Sequence, residues 1–166
     1  IRIGVGLNHG MVTLGTVGGA GRIEGTVVSD AVNLASRLEG LTKEYGAPLL
    51  VSEAALYALD DAANRTVRFV DRIRVKGKRQ PQSIFEVFEA DAPAQREAKL
   101  ATRPWFEEAV AYYHLREVGL AEPLLRRCLA AAPDDAAAAL YLRRCGDYLA
   151  TGRHAGTGEL DGTLDW

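Results

Sequence analysis

Between Ser29 and Gly46 the apolar residues recur at helical spacing. Ala31, Leu34, Ala35, Leu38, Leu41 and Tyr45 fall within an arc of about 120° when each residue turns about 100°. A serine ahead of such a run accepts a hydrogen bond from the first turn, and a glycine behind it closes the last one. Ser29 and Gly46 therefore bound a helix over 30–45 with one buried face. The preceding run has a different period. Ile1, Ile3, Val5 and Leu7 alternate with Arg2, Gly4, Gly6 and Asn8, the two-residue repeat of a strand. An amphipathic helix set among strands makes this part of the chain mixed α and β.

Asn8-His9-Gly10 sits between two alternating runs and predicts a hairpin turn, because Asn and Gly tolerate positive φ. Val12, Leu14 and Val17 continue the second strand, Gly18 to Gly21 make a flexible loop, and Ile23 to Val28 form a third strand. After the helix, Pro48 to Val51 is a short strand and Ser52 caps a short helix to Leu59. Thr66–Val75 and Ser83–Glu89 are two more strands, joined by Lys76-Gly77-Lys78. Eight of the 17 glycines lie in the first 30 residues, whereas residues 91–150 are rich in Ala and Arg, so the composition divides the chain in two. Residues 1–90 form the α+β part, and 91–103 read as a linker or connecting helix. Over 104–150, Trp105, Ala109, Tyr112, Ala121, Leu125 and Pro133 fit the skeleton of a tetratricopeptide unit, with Glu108 in its Leu place and Leu125 in its Phe place. Pro123 kinks the second of these helices or marks its start. Asp134 or Asp135 caps a third helix to about Leu149, and 151–166 is a loose tail.

The 166 residues carry Lys+Arg 20 against Asp+Glu 22, a net charge of −2, which argues against nucleic acid as a partner. No apolar run approaches the roughly 18–20 residues of a membrane-spanning helix. Two cysteines, Cys128 and Cys145, are too few for a disulfide scaffold and are expected to be core thiols in a reducing compartment. The expected location is cytoplasmic, with any membrane anchor upstream. His9, His114 and His154 lie far apart and predict no metal site. Asp60-Asp61 and Asp134-Asp135 are explained as helix caps. The glycine-rich opening lacks both phosphate-loop patterns. The chain begins inside a strand, as a piece cut from a longer protein would.

Asn33 and Arg37 stand one helical turn apart at the edge of the apolar arc. An amide and a guanidinium so placed can bind successive groups of one polyanion, or serve structurally by pairing with a carboxylate. The run Thr26-Val27-Val28-Ser29-Asp30-Ala31-Val32-Asn33-Leu34-Ala35-Ser36-Arg37-Leu38-Glu39 resembles the signature T-V-I-G-D-x-V-N-L-A-S-R-L-E of class III nucleotidyl cyclases. Upstream, Ile3 to Gly10 with Val17-Gly18 and Gly21-Arg22 is similar to that family's preceding hairpin. Downstream, Val75-Lys76-Gly77-Lys78 and Phe85-Glu86-Val87 resemble its final strands. The sequence departs from the pattern at His9, Met11, Gly25 and Ser29. The resemblance covers about residues 1–90, the C-terminal half of the catalytic domain.

That resemblance implies a ferredoxin-like nucleotidyl cyclase half-domain, followed here by an all-α helical hairpin. It implies a homodimer whose sites are shared between subunits, with ATP as substrate and cyclic AMP and pyrophosphate as products. Asn33 would orient the ribose, Arg37 would neutralise charge developing on the α-phosphate and pyrophosphate, and Lys76 would hold the terminal phosphates. Thr26 occupies the purine-recognition place and favours adenine. The family's Mg2+ or Mn2+ is held by two aspartates upstream of this segment, in motifs that these residues do not contain. The helices resemble the tetratricopeptide-like region after some bacterial cyclase domains. They are expected to bind a protein partner and to be dispensable for basal catalysis. The alternative is a non-catalytic cyclase-like module that dimerises and binds proteins.

Overall fold

A computed structural model of the chain describes residues 3–19, 22–59, 66–74 and 81–154. Six strands and five helices follow in the order β1 (Val5–Leu7), β2 (Thr13–Gly19), β3 (Arg22–Val28), α1 (Asp30–Tyr45), β4 (Leu49–Ser52), α2 (Glu53–Tyr57), β5 (Val67–Ile73), β6 (Gln82–Val87), α3 (Pro93–His114), α4 (Val118–Ala131) and α5 (Ala136–Thr151) among the described residues. The main sheet has the order β1-β4-β6-β5, with β1 parallel to β4 and the other pairs antiparallel. Strands β2 and β3 form a separate antiparallel pair.

The helix read from the sequence is α1. Ser29 holds an extended backbone and accepts a hydrogen bond from the Val32 amide, and Gly46 closes the helix at φ 63 with its N–H on the Thr42 carbonyl. That left-handed geometry is cheap only for glycine. Leu34, Leu38, Leu41 and Tyr45 are buried on its inner face. Ser29, which departs from the cyclase signature, thus supplies a cap that a glycine side chain could not.

Two expectations are corrected, the hairpin turn at Asn8-His9-Gly10 and the loop at Gly18 to Gly21. Asn8-His9-Gly10 does not turn a hairpin: β1 leaves it to pair with β4, and the hairpin is made by β2 and β3, so Gly18 and Gly19 belong to a strand rather than a loop. The alternation in β1 is real, but the glycine face is the inner one. A Cβ at Gly6 would strike the Ala35 carbonyl and the Glu39 amide of α1, and one at Gly4 would strike the Thr42 hydroxyl. Val5 and Leu7 therefore face away from α1 and stay 42% and 48% exposed. Of the two readings of 91–103, linker or connecting helix, the helix is the one observed. From Pro93 onward these residues are the first half of α3, which continues through Pro104 to His114. An interior proline costs about 3 kcal/mol. Burial of Phe106, Ala109, Val110 and Tyr113 just beyond it offsets that, at about 1.5–3 kcal/mol for each large side chain. Helix α4 likewise starts at Val118, ahead of Pro123.

The helices lie on the sheet. α3 runs along the free edge of β5, where Glu107 Oε1 accepts from the Phe69 amide at 2.8 Å and Arg103 Nη1 donates to the Val67 carbonyl at 3.1 Å. One continuous core holds Leu34, Leu38 and Tyr45 of α1, Leu50 of β4 and Ile84 of β6. It also holds Phe106 and Tyr113 of α3, Leu125 of α4 and Tyr141 of α5. Cys128 and Cys145 are buried free thiols, as expected, and burial pushes both up to about 11.

Two outcomes follow. Gly6→Ala should lower stability in urea denaturation by about 1–3 kcal/mol, since a methyl there meets backbone. Gly40→Ala, in α1 with nothing within 4 Å of the added carbon, should raise it by up to about 1 kcal/mol. Equal effects would refute the packing assigned to β1. Cutting the chain after residue 103 should abolish the cooperative unfolding transition, because it opens this shared core. A truncated chain that still melts cooperatively would show that the helices are a separable appendage after all.

Candidate active site

The first half of α1 carries the residues that sequence reasoning singled out. Asn33 is exposed, and its backbone amide donates to the Ser29 carbonyl at 3.2 Å. Arg37, one turn on, is half-buried. Thr26 lies in β3 opposite Gly15 of β2, three residues before the helix cap. The structure thus brings Thr26, Asn33 and Arg37 onto one strand–cap–helix unit. Lys76 lies outside the described residues, as do Asp60 and Asp61.

Asn8 holds the start of α1 in place. Its Nδ2 donates to the Ala31 carbonyl at 3.0 Å, and its Oδ1 accepts from Ser52 Oγ at 2.6 Å. Ser52 Oγ also accepts from the Ala55 amide at 3.1 Å and so caps α2. Sequence reasoning read Asn8 as a turn residue and missed this role, because both partners are distant in the chain.

The far end of α1 is held by buried charge. Asp71 of β5 is fully buried. The Tyr45 hydroxyl donates to its Oδ2, His114 Nε2 lies 3.0 Å from Oδ1, and Arg144 Nη1 donates to Oδ2 at 3.2 Å. Arg144 Nη2 reaches Glu44 Oε1 at 2.7 Å. Burial works to raise the Asp71 carboxyl, but the hydrogen bonds from His114 and Tyr45 and the charge of Arg144 outweigh it and hold the group low. Burial and the Asp71 charge push the Tyr45 hydroxyl well up.

A second cluster lies along the sheet. Arg68 Nε donates to Glu86 Oε2 at 2.7 Å, and its two terminal nitrogens form a fork on Asp135 at 2.6 and 2.8 Å. Lys99 Nζ bridges Glu86 and Asp91 at 2.6 and 2.7 Å. Of the two aspartates offered as caps, Asp135 caps α5, accepting from the Ala138 amide at 3.2 Å. Burial works against its ionisation, and the bonds and charge of Arg68 overcome that, so Asp135 also stays low. Sequence reasoning singled out neither Arg68 nor Asp71. The signal was there: Val67, Phe69, Val70 and Ile73 break strict alternation, which marks the bulge seen between Phe69 and Asp71.

Among the described residues no three His, Cys, Asp or Glu side chains group so as to hold a metal ion. The nearest acid to Asn33 in sequence, Asp30, is an exposed residue of the first turn, where it complements the helix dipole. The described donor set therefore does not fit a divalent ion. No described helix is long and apolar enough to cross a membrane.

The strand–cap–helix unit with its amide and guanidinium belongs to the adenylate and guanylate cyclase catalytic domain: the model of that family matches residues 1–87, and the chain is a member of it. The terminal-differentiation-specific adenylate cyclase of Dictyostelium discoideum is 34% identical over 148 residues, which cover 87% of this chain and 7% of that protein. An adenylate cyclase of Anabaena cylindrica is 46% identical over 88 residues, 52% of this chain and 18% of that protein. A bacterial light-regulated adenylyl cyclase shares 30% identity at a TM-score of 0.45 over 52% of this chain and 24% of its own. The chain thus spans less than a fifth of the length of either curated relative.

The lowered aspartates fix the sign of a pH dependence. A carboxyl held low in the folded state contributes stability that is complete above the ordinary aspartate range, near about 3.9, and drains away as pH falls through and below it. Asp135→Asn keeps a competent helix cap and removes the charge. It should cost about 3–5 kcal/mol at neutral pH, as expected for a buried pair broken on one side, and should flatten the acid limb of a urea-denaturation series. An unchanged acid limb would mean that Asp135 is not ionised against Arg68.

Proposed function

We propose that this chain is the C-terminal half of an adenylate cyclase catalytic domain acting in signal transduction. The 3′-hydroxyl oxygen of ATP attacks the α-phosphorus, the bond to the β-phosphate oxygen breaks, and cyclic AMP and pyrophosphate result. The observation that carries the reading is that the cyclase-like run 26–39 folds as strand, cap and helix. Asn33 and Arg37 lie one turn apart at the edge of the buried arc of α1, Asn33 exposed and Arg37 half-buried. The two curated relatives, both adenylate cyclases by name, support ATP over GTP.

In this reading Arg37 meets the charge that grows on the transferring phosphate and the departing pyrophosphate. A planar fork of donors suits that task, and one aimed at developing charge acts mainly in the transition state. Asn33 orients the ribose, Thr26 meets the adenine edge and Lys76 holds the terminal phosphates. The Mg2+ or Mn2+ that the family uses would draw its carboxylates from upstream sequence. The working site is shared between the subunits of a homodimer. The C-terminal helices, tetratricopeptide-like in spacing, offer a protein partner the exposed Leu115, Leu120 and Leu149.

The test is Arg37→Ala in a polypeptide that joins this chain to its upstream half. Turnover should fall by about 10²–10³, with a much smaller change in KM for ATP. Near-normal turnover would remove Arg37 from the site. An inactive parent protein that binds no ATP analogue would favour the non-catalytic module.

A further inference from the structure

We infer that Asn8 is a positioning residue for the reaction proposed above, on which this inference rests: it pins the first turn of α1 and thereby sets where Asn33 stands. The hydrogen-bond inventory leaves little freedom. Ser52 Oγ accepts from the Ala55 amide, so its single proton is available to Asn8 Oδ1, 2.6 Å away. That fixes the orientation of the Asn8 amide and turns its NH2 toward the Ala31 carbonyl at 3.0 Å. A carbonyl has two lone pairs, so Ala31 can accept this bond as well as one from its own helix.

The backbone agrees. A Cβ at Gly10 would lie 3.0 Å from Ala31 Cβ, so the whole 8–10 segment rests on the first turn of α1. Asn8 follows β1 directly, and Ser52 ends β4, the strand parallel to β1. One side chain therefore ties the ends of two adjacent strands to the helix turn two residues before Asn33. Asn33 itself is exposed, so its placement depends on how well that turn is held. Ser29 restrains the turn too, but its side-chain bond to the Val32 amide is long at 3.3 Å and exposed. Asn8 supplies the part-buried restraint.

The substitutions separate the two bonds. Asn8→Ala removes both. Asn8→Asp keeps an acceptor for Ser52 but sets a carboxylate against the Ala31 carbonyl, and Ser52→Ala leaves the bond to Ala31 intact. In amide hydrogen exchange on the 166-residue chain, Asn8→Ala and Asn8→Asp should speed exchange at residues 33–36 about tenfold, the loss of one ordinary hydrogen bond. Exchange at 41–45 should not change, and Ser52→Ala should have the smaller effect at 33–36. In a polypeptide with both catalytic halves, assayed well below its melting temperature, Asn8→Ala should lower kcat about 10- to 100-fold with KM for ATP nearly unchanged. Unaltered exchange at 33–36 overturns the inference. Faster exchange with unaltered kcat also overturns it, because Asn8 then merely stabilises the helix. A parent polypeptide that makes no cyclic AMP refutes the cyclase reading, and the exchange experiment still decides whether Asn8 restrains the turn.

Discussion

A guanidinium that is only 1% exposed sets the terms on which this chain folds. Arg68 leaves β5 toward the helices, lies 4.2 Å from the centre of the Phe106 ring, and finds its carboxylates on β6 and at the start of α5. A charge at that depth without partners costs several kcal/mol, against a net stability of about 5–15 kcal/mol for a whole domain. Burial of Arg68 in the core therefore rests on Glu86 of β6 and on the N-terminus of α5 together. Asp135 makes the dependence mutual, since the same carboxylate that closes the Arg68 fork caps α5 through the Ala138 amide. One carboxylate thus serves both the helix start and the ion pair.

The second cluster extends the dependence to the helix that carries the candidate site. Tyr45 ends α1 on the Asp71 carboxylate, Arg144 of α5 bonds that carboxylate too, and its other arm reaches Glu44 beside Tyr45. Arg37 lies two turns before this anchor, about 12 Å along the axis at 1.5 Å per residue. With Asn8 at one end and the Asp71 cluster at the other, α1 is a rod held at both ends. Glu44 and Tyr45 thus tie the end of α1 to α5 through Arg144 and Asp71.

What could be read from the sequence was local. Ser29, Gly46, Ser52 and Asp135 each bond within their own turn, and each cap stands where the residue pattern placed it. The strand–cap–helix unit was legible for the same reason, with Asn33 and Arg37 on it. Pairings across the chain were not. The alternation in β1 reports two faces but does not say which is inner, and α1 packs so close that only glycine fits on the inner one. Asn8 looked like a turn former because its true partners are 23 and 44 residues away. Arg68 and Asp71 went unnoticed within the strand Thr66–Val75, because their partners on β6, α1, α3 and α5 lie far along the chain.

The shift in composition near residue 90 marks where strands give way to helices, and the hydrophobic core runs on across it. The Dictyostelium relative shares 87% of this chain, an extent that cannot be laid on it without running through α3 and α4. The chemistry of the β5 edge says why they travel together. Glu107 and Arg103 of α3 satisfy the Phe69 amide and the Val67 carbonyl, groups that would otherwise invite another strand. The sheet is thereby closed at β5. At its other end β1 offers no such cover among the described residues, and Val5 and Leu7 beside that edge remain largely exposed. Among the described residues the sheet is therefore covered by α3 at Val67 and Phe69 of β5 and left uncovered along β1.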